Sequence, residues 1–149
     1  MAERNFRVLR GDKDTAEFKD YKVEVDEGMV VLDGLFRVQS EHANDMAIRW
    51  NCKAGKCGSC SMEINGKPRL ACMTRLNDFE EDQTITCTPM RTFPVIKDLV
   101  TDVSWNYRQN KRIAPFKPDP KKKGKDGKYR MNQESAERVQ EFRKCIECY

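Results

Sequence analysis

The residues able to do chemistry in this chain are gathered between Arg49 and Cys72. Cys52, Cys57 and Cys60 follow a C-x4-C-x2-C spacing, and Cys72 comes after eleven intervening residues. Three thiolates in one loop and a fourth on a later segment are the ligand arrangement of a [2Fe–2S] centre. A cluster held by four thiolates carries a net charge of about −2 when oxidised, and that charge needs compensation where water is kept out. Backbone N–H groups aimed at the sulfurs supply it and tune the reduction potential. The main chain must then approach closely and take positive φ, which accounts for Gly55 and Gly58 between the ligands. Arg49, Lys53 and Lys56 bring positive charge to the same stretch. Two other uses of clustered cysteines stay open on spacing alone. A disulfide framework fits poorly with seven cysteines and no secretory leader. A structural zinc site usually draws on two separated short Cys/His pairs, whereas here three cysteines crowd into nine residues.

The elements that must carry this loop are readable on both sides of it. Ser61–Ile64 alternates, turns at Asn65-Gly66, and returns through Pro68-Arg69-Leu70 to Cys72. Asn-Gly between short alternating runs marks a hairpin, here a device for bringing the fourth thiolate back. Upstream, Asn5–Arg10 and Glu17–Val25 alternate, with Phe6 and Val8 in the first run and Phe18, Tyr21, Val23 and Val25 in the second. The polar turn Gly11–Asp14 joins them as an antiparallel pair. Met29–Ala43 then places Val31, Leu35 and Val38 at helical spacing with Leu32 and Phe36 beside them; Gly34 within it costs about 1 kcal/mol against alanine. His42, the single histidine, falls at that helix's end and reads as solvated rather than ligating. Gln83–Thr88 is the closing strand, with Cys87 aligned with Ile85 as a buried thiol. Phe93–Ser104 reads as a helix with Thr92 as cap and Ile96, Leu99, Val100 and Val103 on its apolar side. Trp105–Arg130, with three prolines, two glycines and a lysine run, reads as irregular linker; Met131–Lys144 returns to helix. Strand, strand, helix, metal loop with hairpin and closing strand form the order of a β-grasp ferredoxin-like domain, an α+β fold. The expected divisions are 1–112 for that domain, 113–130 for a basic linker and 131–149 for the start of a helical domain.

The totals narrow the class. The longest apolar run, Met29–Leu32, is far too short to cross a bilayer, and the N-terminus enters an alternating pattern without a signal peptide. A reducing compartment is the expectation, in which clustered cysteines mean metal or redox chemistry. The net charge of +4 is concentrated: seven basic residues lie between Lys117 and Arg130 against Asp119 and Asp126, and the remainder is near neutral. This is not the basic, aromatic-interleaved stripe of a nucleic-acid binder. It reads as a solvated loop, with contact to an acidic partner or anionic headgroups as the other use.

The chain closes with Cys145 and Cys148, a C-x2-C pair that cannot complete a four-ligand cubane by itself. Taken together, WNCKAGKCGSCSMEINGKPRLAC, TPMRTFPVIKDLVTD and EFRKCIEC closely resemble the iron–sulfur subunit of succinate dehydrogenase and fumarate reductase, nearest to its actinobacterial form. The resemblance covers essentially the whole chain. It implies a relay in which a flavoprotein subunit oxidises succinate at FAD. Electrons then pass through a [2Fe–2S] cluster, a [4Fe–4S] and a [3Fe–4S] cluster to quinone at membrane anchor subunits. Carried over by position, Cys52, Cys57, Cys60 and Cys72 hold the first cluster, and Cys145 and Cys148 match the first two ligands of the [4Fe–4S] site. Some members have aspartate where this chain has Cys60, so the ligand set here is all thiolate. The resemblance also implies a peripheral place on the cytoplasmic side of the plasma membrane, and a chain that stops before the family's remaining cluster ligands. A free-standing [2Fe–2S] electron carrier is the alternative, and a zinc-stapled interaction module a third reading.

Overall fold

The computed structural model describes residues 2–115 and 117–140. Two compact units divide between Val103 and Ser104.

The first unit is built on a five-stranded sheet in the order β2-β1-β5-β3-β4. Strands β1 (Ala2–Arg10) and β2 (Glu17–Val25) pair antiparallel along their whole length, with Phe6 opposite Tyr21. Strand β5 (Ile85–Thr88) runs parallel to β1, setting Ile85 beside Phe6 and Cys87 beside Val8. On its other side β5 meets β3 (Ser61–Ile64) antiparallel, and β3 turns into β4 (Lys67–Leu70). This is the β-grasp fold that the element order predicts.

Alternation decides which face is dry. Phe6 and Val8 on β1, Val23 and Val25 on β2, and Ile85 and Cys87 on β5 are all buried in one apolar core. Phe18, of opposite parity to Val23 and Val25, is exposed. Cys87 has no exposed surface, and burial pushes its thiol up to about 12, in keeping with a small apolar filler.

Helix α1 (Val31–Glu41) buries Val31, Leu32, Leu35 and Val38 on the sheet. Gly34 has a reason here: a Cβ at that position would come within 2.3 Å of Phe6 Cζ, so the missing side chain lets the ring reach the helix. The helix's first amides are spoken for. Val31 N–H donates to Thr74 O (2.8 Å), Leu32 N–H to Ala71 O (3.1 Å), and Asp33 Oδ2 accepts from Val30 N–H (3.2 Å). His42 follows the helix, exposed, with Nε2 donating to Lys22 O at 3.0 Å.

The helix expected over Phe93–Ser104 is replaced by a hairpin, β6 (Val95–Lys97) and β7 (Val100–Thr101), turned at Asp98 with φ 50°. The spacing of Ile96, Leu99, Val100 and Val103 mimicked a helix face, yet Ile96 is exposed while Leu99 is buried. β-branched residues suit a strand, and the Asp98 carboxylate finds partners only when the chain bends back on itself. Helix α2 (Ser104–Asn110) begins where irregular linker was expected. The second unit also has a 3-10 turn at Pro120–Lys122 and helix α3 (Gln133–Gln140), inside the helix expected from Met131. The part of that expected helix after Gln140 lies outside the described residues. Among the described residues no helix is long and apolar enough to cross a membrane.

Candidate metal centre

The loop between α1 and β3 has no regular structure, and its shape comes from three left-handed residues. Lys53 (φ 54°), Gly55 (φ 66°) and Gly58 (φ 69°) turn the chain around Cys52, as the two glycines led one to expect and the lysine did not. The turn aims backbone at sulfur: Ala54 N–H donates to Cys52 Sγ at 3.3 Å and Lys56 N–H at 3.4 Å. At Gly55 a Cβ would stand 2.8 Å from Met73 Cγ, so the Met73 side chain closes over the glycine.

The fourth cysteine arrives as the hairpin predicts. Asn65 (φ 49°) and Gly66 (φ 74°) make the tight turn, whose twist matches the strands. Asn65 Oδ1 also accepts from Thr86 N–H at 2.7 Å, locking the turn to β5. Beyond Leu70, Ala71 N–H donates to Cys60 O (3.2 Å) and Cys72 N–H to Cys60 Sγ (3.5 Å).

The four thiols fall into two pairs. Cys52 and Cys57 interact through their side chains, as do Cys60 and Cys72. Cys52 is exposed and Cys57 half-buried, while Cys60 and Cys72 are buried. Their acidities diverge accordingly. The amides of Ala54 and Lys56, with Cys57, lower Cys52 to about 6. Burial raises Cys60 to about 11, with only the Cys72 amide working against it.

Positive charge contributes less than the sequence suggests. Lys53 Nζ pairs with Asp33 Oδ1 at 3.1 Å and sits 5.2 Å from the centre of the Phe36 ring. Arg49 Nη2 donates to Thr101 O at 2.9 Å. Lys56 reaches Cys52 through its backbone N–H. The compensation that reaches sulfur is therefore mainly main-chain dipole.

This donor set fits a two-iron cluster. Four thiols with backbone amides directed at Cys52 and Cys60 are the donor chemistry that such a cluster would take. Among the described residues no three Cys, His, Asp or Glu side chains gather into a site for a single metal ion. Cys145 and Cys148 lie outside the described residues.

Sequence reasoning missed the residues that hold the loop from behind. Asp33 ties Lys53 to the start of α1. Asp98, Arg10 and Asp45 form a charged cluster under the approach to Cys52. An aspartate beside Lys97 between the apolar pairs Val95-Ile96 and Leu99-Val100 was the available signal, since buried there it could be stable only with partners.

Comparison with known proteins bears on this geometry. Residues 5–108 match the family described as a 2Fe-2S iron–sulfur cluster binding domain. The chain is 36% identical to the fumarate reductase iron–sulfur subunit of Mycobacterium tuberculosis, over 88% of this chain and 53% of that one. It is 32% identical to the succinate dehydrogenase iron–sulfur subunit of Paracoccus denitrificans, over 97% of this chain and 56% of that one. Among solved structures, a chain of the Mycobacterium smegmatis Sdh1 complex in the apo form is 57% identical. It superposes with a TM-score of 0.84, covering 99% of this chain and 61% of its own length. The chain thus spans about half to three-fifths of the length of these relatives.

Proposed function

This chain belongs to the family of 2Fe-2S iron–sulfur cluster binding domains, and on that premise we propose that it is the leading part of a succinate dehydrogenase or fumarate reductase iron–sulfur subunit. Cys52, Cys57, Cys60 and Cys72 would hold a [2Fe–2S] cluster. When bound, the cluster supplies one-electron transfer between the FAD of a flavoprotein subunit and the clusters that lead to quinone. The chain's own residues hold and tune: Ala54 and Lys56 amides stabilise charge on Cys52, and Met73 shields Gly55. In this reading residues 1–112 carry the β-grasp unit, whose compact part ends at Val103, 113–130 are the basic linker and 131–149 the start of a helical ferredoxin domain. There Cys145 and Cys148 are the first two ligands of a [4Fe–4S] cluster, and a [3Fe–4S] cluster follows in the full-length subunit. The partners are the flavoprotein subunit and membrane anchor subunits, on the cytoplasmic side of the plasma membrane.

The observation that carries this reading is the 57% identity to a chain of an Sdh1 complex, over 99% of this sequence. It is tested by anaerobic reconstitution followed by iron and acid-labile sulfide assay and a visible spectrum. Two irons and two sulfides per β-grasp unit are expected, and succinate is expected to bleach the colour only when the flavoprotein subunit is present. Cys57→Ser is expected to lose most of the iron; a full complement in that variant would remove Cys57 from the ligand set. Bleaching by a soluble reductase with no response to the flavoprotein would favour a free-standing carrier.

A further inference from the structure

Residues 46–50 lead into the cysteine loop with no strand or helix of their own. Ala47 is held through both its amide and its carbonyl by the β6–β7 hairpin, and Arg49 through its side chain. Asp98, only 1% exposed, is the pin. Its Oδ2 accepts from Ala47 N–H at 2.7 Å, five residues before Cys52. Its Oδ1 accepts from Gly11 N–H (2.7 Å) and Arg10 Nε (3.0 Å), and its own N–H donates to Gly11 O (2.7 Å). Arg10 spreads the network further, donating to Tyr21 Oη (2.7 Å) and Asp45 Oδ2 (2.8 Å). Leu99 N–H then reaches Ala47 O (3.4 Å), and Arg49 Nη2 reaches Thr101 O (2.9 Å). The hairpin touches the loop a second time. Ser59 and Ser61, on either side of Cys60, share with Arg49, Leu99 and Thr101 a cavity of about 10 Å³, the size of one water.

We propose that this hairpin is a brace for the metal loop and that Asp98 is its positioning residue, fixing the approach to Cys52 and the backing of Cys60 so that the cluster is retained. The inference rests on the cluster assignment above. A buried carboxylate with no amide or guanidinium to accept from would be strongly unfavourable, so the hairpin, the end of β1 and the approach segment are stable only together. The left-handed backbone at Asp98 also explains why the pin sits at the turn: aspartate and asparagine are among the few side-chain-bearing residues at ease there.

That property supplies the test. Asp98→Asn keeps the backbone preference and the size but replaces one acceptor oxygen by a donor, facing the Ala47 amide or the Arg10 side. Iron release to a chelator is expected to be about tenfold faster or more, the range seen when outer-shell partners are removed. The midpoint potential and visible circular dichroism of the bound cluster are expected to shift, and amide exchange at residues 47–50 to quicken. Val23→Ala, a cavity in the sheet core, serves as a control for plain destabilisation. It is expected to release iron at the parent rate once matched for unfolding midpoint. Equal release from the two variants, with an unmoved potential, would overturn the brace. Should Asp98→Asn fail to fold, Arg49→Lys takes its place, keeping the charge but losing the guanidinium's reach to Thr101; release at the parent rate would likewise overturn the proposal. If the parent protein takes up no iron and sulfide, the cluster reading fails. The brace is then judged by amide exchange at residues 47–50 and 59–61 in metal-free protein, where no change between parent and Asp98→Asn refutes it.

Discussion

At the scale of residues, the loop treats its four sulfurs unequally, and that inequality is measurable once metal is removed. Cys52, exposed and bonded by two amides, is lowered to about 6, whereas burial holds Cys60 near 11 and Cys87 near 12. Only a thiolate attacks an alkylating agent quickly. At pH 7 and short exposure, peptide mapping is expected to find the label on Cys52 with Cys60 and Cys87 unmodified. The Cys52 rate is expected to fall about tenfold for each unit that pH drops below 6. Comparable labelling of Cys60 at pH 7 would mean that the loop does not hold its shape without metal. The cysteines were legible in the sequence because their chemistry is written in spacing over two dozen residues. Asp98 was not, because its partners Arg10, Gly11 and Ala47 lie 88, 87 and 51 residues away. A single sequence carries no mark of such distances.

Among elements, the sheet and helix α1 followed their periodicities, while the hairpin β6–β7 did not. Its apolar residues fall at helical intervals by coincidence, and the strand preference of its β-branched residues and the tertiary bonds of Asp98 decide against the helix. Helix α1 illustrates the reverse, a local defect with a tertiary reason. Gly34→Ala would gain about 1 kcal/mol of helix propensity, but the new Cβ would stand 2.3 Å from Phe6 Cζ, and Phe6 has no exposed surface into which to retreat. Overpacking of this kind costs about 1–3 kcal/mol, so the net effect is expected to be destabilising. Urea unfolding decides between the two terms; a raised midpoint would show that the ring relaxes away freely.

Over the whole molecule, pH acts on the metal-free chain in two separate windows. Cys52 has a folded-state value below its ordinary 9.0, so its contribution is complete above that pH and is lost as pH falls through about 6. Asp12, Asp20 and Asp45 are also held low, Asp12 by the Asp14 amide, Asp20 by Arg7 and Asp45 by Arg10. Their share is present above the ordinary carboxylate range and lost only below about pH 4. Thermal unfolding followed from pH 8, below the range where the raised Cys60 and Cys87 thiols matter, to pH 3 is expected to fall in two stages, the acidic stage weakened by salt because these carboxylates are exposed. Cys52→Ser is expected to erase the upper stage alone. One junction described above governs how metal enters this architecture. The opening amides of α1 rest on the carbonyls of Ala71 and Thr74, on either side of Cys72, so the bonds that start the helix also fix the segment that carries this sulfur. A donor delivering a preassembled cluster would meet a half-furnished berth, with only the outer arc around Cys52 and Cys57 left to wrap.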